Sequence, residues 1–149
     1  MRAVFASILL IFAGVPGATL AQETPVRFAT MDVYLQSAGP VAAWQFELDD
    51  VRGSTIVVGV ERGDNSAFIR VPYYDRDAVT RGDAERIVVA DYSLADEADL
   101  PSGRTHIATL HLMLTGEPEF NLQVTTATDY EGKYLQSSAS FDLRSGSEQ

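Results

Sequence analysis

The 149-residue chain contains no cysteine, so a disulfide framework, a thiolate nucleophile and cysteine-ligated metal are excluded together. Basic side chains are scarce: 11 Lys and Arg stand against 21 Asp and Glu, a formal net charge of −10. Such a field repels nucleic acid and anionic lipid, which excludes nucleic-acid binding and favours cationic or calcium-bearing partners. The acids are scattered rather than blocked, as on an ordinary solubilising surface. There are only two histidines and one tryptophan. No GxSxG elbow occurs, and the serines cluster in turns and near the C-terminus, so nothing nominates a nucleophile. Outside the first residues no long apolar run exists, and no membrane span is expected.

The one apolar run is N-terminal. Met1-Arg2 is followed by uncharged Ala3 to Val15, a Pro16-Gly17 break, and small residues ending in Thr19-Leu20-Ala21. This pattern predicts a signal peptide over residues 1–21, cleaved between Ala21 and Gln22. The run is too short to span a bilayer, which takes about 20 apolar residues. Without a cysteine at the cleavage point a lipoprotein anchor is also excluded. The expected product, residues 22–149, is secreted or periplasmic and forms one domain, large enough to bury roughly two thirds of its unfolded surface.

What is present is alternation. In Thr105 to Leu114, Ala108, Leu110, Leu112 and Leu114 share a parity with His106, while Thr105, Ile107, Thr109, His111 and Met113 share the other. Successive strand residues face opposite ways, so this predicts a central strand with an aliphatic inner side. Met31, Val33 and Leu35 alternate likewise, as do Trp44, Phe46 and Leu48; Ile56, Val58 and Val60; and Phe120, Leu122 and Val124. Short strands are also expected at Ala67 to Val71, at Glu85 to Tyr92 with Ile87, Val88 and Val89, and at Tyr134 to Leu143. Residues 75–83 read as polar turn, and Leu94 to Ala98 as one helical turn. Gly- and Pro-containing turns recur about every ten residues. No segment has a convincing helical period. The expected fold is all-β: a two-sheet antiparallel sandwich of jelly-roll or immunoglobulin-like type with about eight or nine strands.

The strand Trp44-Gln45-Phe46-Glu47-Leu48-Asp49-Asp50 is followed by Val60-Glu61-Arg62-Gly63. Later come Gly103, the core Ala108-Thr109-Leu110, Gly116, and an Asp129 to Gly132 turn. This series, over roughly Thr30 to Leu143, resembles a cohesin domain, the bacterial sandwich that captures dockerin modules, and the carbohydrate-binding modules sharing that architecture. The resemblance implies a non-catalytic module for an exported, dockerin-like protein or a cell-surface component. It also implies that the outward positions of the Trp44 strand, Gln45 and Glu47 above all, meet the partner. Polysaccharide is the alternative ligand.

Parity adds a second candidate surface, the outward stripe Ile107, Thr109, His111 and Met113, exposed unless a further layer covers it. For sugar binding, which uses exposed planar aromatics, the candidates are the loop residues Tyr73, Tyr74 and Tyr130. His106 and His111, five apart, are expected on opposite faces and unable to share a metal. The acidic pairs Asp49-Asp50, Asp75-x-Asp77 and Asp96-Glu97-x-Asp99 read as solvated turn caps rather than glycosidase carboxylates. None matches a calcium-loop spacing; one structural calcium ion is the most these loops would allow, and no cofactor is expected.

Overall fold

Strand formation follows from those alternating apolar positions, which give each segment one side to bury. A computed structural model describes residues 23–146, and the expected signal peptide lies outside the described residues. The strands there are β1 (Arg27–Ser37), β2 (Ala43–Asp50), β3 (Thr55–Arg62), β4 (Arg86–Tyr92), β5 (Gly103–Leu114), β6 (Phe120–Thr128) and β7 (Ser137–Ser145). They form two antiparallel sheets, in the orders β3-β5-β1-β7 and β4-β2-β6. Between them lies one core, with Met31, Val33 and Leu35 from β1, Trp44, Phe46 and Leu48 from β2, and Leu110, Leu112 and Leu114 from β5. The expected all-β, two-sheet architecture is present, with seven strands rather than eight or nine.

Residues 67–71 are not a strand. The Asn65 side chain accepts from the Ala67 amide (2.9 Å), turning the chain, and Phe68 enters the core. Only Tyr73 pairs, exchanging both backbone hydrogen bonds with Ala90 at 2.7 and 3.0 Å. Residues 75–83, expected as turn, contain a short helix, α1 (Arg76–Arg81). Asp75 caps it by accepting from the Ala78 amide, and Gly82, at φ 75°, ends it in the left-handed region. Six residues are too few to display a helical period. The helical turn expected at 94–98 is a 3₁₀ turn over Glu97–Asp99.

Three bulges reshape the sheets. Between the pairs Val33–Ala108 and Tyr34–His106, β5 carries one extra residue, Ile107. Val58 is the extra residue of β3 against β5, and Thr125 that of β6 against β2. A bulge reverses strand parity beyond it. Thr105 and Ile107 therefore point inward on one side of the β5 bulge, and Ala108, Leu110 and Leu112 on the other. In β3 the same device leaves Val57 and Val60 buried and Val58 exposed, so Val58 and Val60 do not share the face their spacing predicted. Gly63 is fitted against the β5 bulge, its amide donating to the Ile107 carbonyl at 3.0 Å. A Cβ at Gly63 would stand 2.0 Å from the His106 carbonyl oxygen, so only glycine fits there.

Asp50, expected to be solvated, is buried at the β2–β3 turn. Its carboxylate accepts from the amides of Arg52 (3.1 Å), Ser54 (3.0 Å) and Glu119 (2.9 Å) and from the Ser54 hydroxyl (2.9 Å). Burial works to raise its pKa, but these donors outweigh it and hold the value at about 2. One side chain thereby ties the turn to the entry of β6.

Candidate functional sites on the two sheet faces

The predicted stripe on β5 does not form as such. Ile107 is 1% exposed, a correction caused by the bulge that turns it into the core. Thr109 does face outward but is buried, and His111 and Met113 are half-buried. The bulge also brings His106 onto the same outer face as His111, against the expectation of opposite faces: Tyr34, Asp32 and Thr30 of β1 stand opposite His106, Thr109 and His111. Among the described residues, no three His, Asp or Glu side chains are grouped to hold a metal ion.

Around Thr109 that outer face carries a continuous polar network. The Thr109 hydroxyl donates to Asp32 Oδ1 at 2.7 Å, and Arg144 Nη2 reaches Asp32 Oδ2 at 2.7 Å. His106 Nε2 lies 3.0 Å from Thr109 Oγ1, with Nδ1 3.4 Å from Asp64 Oδ1. The order Asp64, His106, Thr109 imitates a nucleophilic triad, but the proton assignment opposes that use. Burial tends to raise the Asp32 pKa; the bonds from Thr109 and Arg144 and the field of His106 overcome it and keep the group an anion. The Thr109 O–H is therefore directed at Asp32, and an N–H on His106 Nε2 would donate to the Thr109 oxygen rather than take a proton from it. Thr109 is locked, not activated. At the far end of the same face His111 Nε2 meets Glu61 Oε1 at 3.0 Å, beside a shallow groove of about 380 Å³ lined by Phe28, Val58 and Gly146.

The outer face of the β4-β2-β6 sheet is different. Trp44, Phe46 and Leu48 are buried, so Gln45 and Glu47 project outward as expected. Gln45 Nε2 donates to Thr125 Oγ1 at 2.9 Å, and Glu47 pairs with Arg86 Nη2 at 2.6 Å. The Arg86 contact holds the Glu47 carboxyl below its ordinary pKa. Next to them on β4, Val88 and Tyr92 are exposed. Tyr73 is docked beside β4 through its Ala90 pairing, 55% exposed, and its ring lies parallel to that of Tyr92 at 6.2 Å. The Arg70 guanidinium sits 4.5 Å from the Tyr92 ring centre and 5.9 Å from that of Tyr73. Its contact with the phenol, helped by that of Tyr73, lowers the Tyr92 pKa. The sheet thus unites Gln45, Glu47 and Tyr73, which the sequence placed in separate candidate sites.

The other two tyrosines go elsewhere. Tyr74 packs on the core with Arg76 over its ring at 5.3 Å, and so offers no free platform. Tyr130 is exposed in the turn after β6, on the other side of β2 from Tyr73. Sequence reasoning missed Arg70, Val88 and Tyr92. The inward parity of Ile87 and Val89 carried the signal for Val88, but nothing local links Arg70 to Tyr92.

Beneath this face, Asp91 and Trp44 are register partners and both are buried. Asp91 Oδ1 accepts from the Tyr92 amide at 2.8 Å, while Asp91 Oδ2 and Trp44 Nε1 have no hydrogen-bond partner among the described residues. Burial raises the Asp91 pKa despite that bond and the field of Arg70.

Comparison with protein-family models, with curated proteins and with solved structures returns no match for this chain. Among the described residues no helix is long and apolar enough to cross a membrane.

Proposed function

We propose that this protein is an exported, non-catalytic binding module, cohesin-like in its sandwich, which docks a protein partner on the outer face of the β4-β2-β6 sheet. The observation that carries the reading is the grouping of Tyr73, Tyr92, Arg70 and Val88 beside the polar pair Gln45 and Glu47. Tyr and Arg are the residues that most often anchor protein interfaces, and a polar rim beside them is the usual arrangement. The partner is a protein with a basic rim, complementary to a chain of net charge −10. The locked hydroxyl of Thr109 fits a module without catalysis. Export rests on the leader pattern of residues 1–21.

Sugar binding through loop tyrosines is the second reading, favoured by the exposure of Tyr73. It ranks lower because Arg70 lies over Tyr92 and the two rings lie against each other, which occupies the planar surfaces a pyranose would need. The test is affinity capture from the exported fraction of the source cells, followed by titration of the purified captured protein. Val88→Asp and Tyr73→Ala should each weaken binding at least tenfold, and Phe28→Asp on the other sheet should not. Binding to purified oligosaccharides that depends on Tyr73, with no protein captured, would replace the first reading by the second.

A further inference from the structure

Beyond the flat face, the chain forms a cleft between the segment leading to Tyr73 and the loop after β4. Its walls are Ala67, Ile69, Tyr92, Leu94 and Ala95, with Arg70 at the rim, enclosing about 320 Å³. Ile69 and Leu94 are 74% and 86% exposed, although both are large and apolar. Exposed side chains of this size gathered around one cleft mark a binding site more often than chance.

Arg70 supplies the second observation. Arg27, Arg52, Arg81, Arg86, Arg104 and Arg144 each form an ion pair with a carboxylate; Arg62, Arg70 and Arg76 form none among the described residues, and of these three Arg70 is the one that lines the cleft. The carboxylate whose field it feels, Asp91, is buried and spends one oxygen on the Tyr92 amide. Arg70 is nevertheless held in place, over the Tyr92 ring, with Nη1 donating to the Tyr92 hydroxyl at 3.5 Å and Nη2 to the Tyr92 carbonyl at 3.4 Å. A guanidinium fixed on an aromatic ring keeps several N–H donors free in a planar fork that fits one carboxylate. In a protein with 21 acids, a cation left open beside an apolar cleft is complementary to a ligand that brings its own anion.

We infer that this cleft receives the C-terminal residue of the partner polypeptide, its aliphatic side chain between Ile69, Leu94 and Ala95 and its carboxylate on Arg70. A free C-terminus carries an apolar side chain and a carboxylate on one carbon, which matches the adjacency of cleft and guanidinium. An Asp or Glu side chain brings the charge without the aliphatic group. A polyanionic sugar would bring many charges against a net charge of −10, which one arginine does not offset. The inference rests on the protein-partner reading and extends the docking face by one pocket.

The experiment is an NMR titration of the ¹⁵N-labelled protein with N-acetyl-leucine, N-acetyl-leucinamide and glucuronate at millimolar concentrations. N-acetyl-leucine should move the amides of Ile69, Arg70, Leu94 and Ala95 and bind about fivefold more tightly than the amide, the scale of one exposed charge pair. Arg70→Gln should abolish that preference while leaving the remaining spectrum in place. Equal binding of acid and amide, shifts located elsewhere, or no shifts would overturn the inference. Stronger perturbation of these residues by glucuronate would overturn it in favour of a sugar acid. The two readings fail separately. If partner binding depends on Val88 and Tyr73 while acid and amide bind alike, only the carboxylate assignment falls. If the acid preference holds and no captured protein depends on this face, the docking reading falls and the small-ligand site stands.

Discussion

Asp50 offers the sharpest test of how this sandwich is held together. Its carboxylate takes four hydrogen bonds, from Arg52, Ser54 and Glu119, in a buried position joining the β2–β3 turn to β6. Its pKa falls from 3.8 to about 2 on folding. A depressed acid contributes stability that is present above the unfolded value and lost as pH falls toward the folded one. At 1.36 kcal/mol per pKa unit that contribution is roughly 2 kcal/mol, mostly gone by pH 2. Asp50→Asn removes the charge and sets an amide N–H₂ against donors. Urea denaturation should show the variant less stable than the wild type by about 2–3 kcal/mol at pH 7, with most of that gap closed near pH 2. The comparison between the two proteins isolates Asp50 from the other carboxylates, Asp32 and Glu47 included, whose pKa values are also lowered. A gap that stays constant with pH, or a cost below about 0.5 kcal/mol at neutral pH, would refute the assignment of these bonds.

Other outcomes follow from the same structure. Ile107→Ala should cost about 3 kcal/mol in chemical denaturation, as for a core residue, and Met113→Ala less than about 1 kcal/mol; the reverse order would mean the β5 bulge is misplaced. Gly63→Ala, with its Cβ driven into the His106 carbonyl, should lower stability by roughly 3 kcal/mol, and an unchanged melting temperature would remove that close contact. Burial raises the Asp91 pKa, so folding favours its protonated form and the wild type loses stability as pH rises from the ordinary carboxyl value toward the raised one. Asp91→Asn should flatten the pH–stability curve above the ordinary aspartate value of about 4, and a curve of unchanged slope would contradict it.

Alternation carried most of the fold. The inward sets Met31-Val33-Leu35, Trp44-Phe46-Leu48 and Leu110-Leu112-Leu114 lie in the core, and the outward positions Gln45 and Glu47 followed from the same parity. The failures have one main cause. A single inserted residue reverses parity, and nothing in THIATLHLML marks Ile107 as the insertion, because every residue there suits a strand. Gly63, over forty positions away, lies against the bulge, and its missing side chain lets the loop pack on β5. The tyrosine site was half legible for a similar reason. Tyr73 was visible as a loop aromatic, but its partner Tyr92 arrives through the Tyr73–Ala90 pairing, which no local pattern announces. Helix α1 escaped because one capped turn has no period to detect.

Protein binding on the β4-β2-β6 face can be measured directly. The most direct measurement is the affinity of the purified captured partner for wild type, Val88→Asp and Phe28→Asp, determined by calorimetry on folded proteins. Loss of at least about tenfold with Val88→Asp, the scale of an interface anchor, together with unchanged affinity for Phe28→Asp is the expected result. Equal affinity of Val88→Asp and wild type would contradict docking on this face, and loss confined to Phe28→Asp would place the interface on the other sheet.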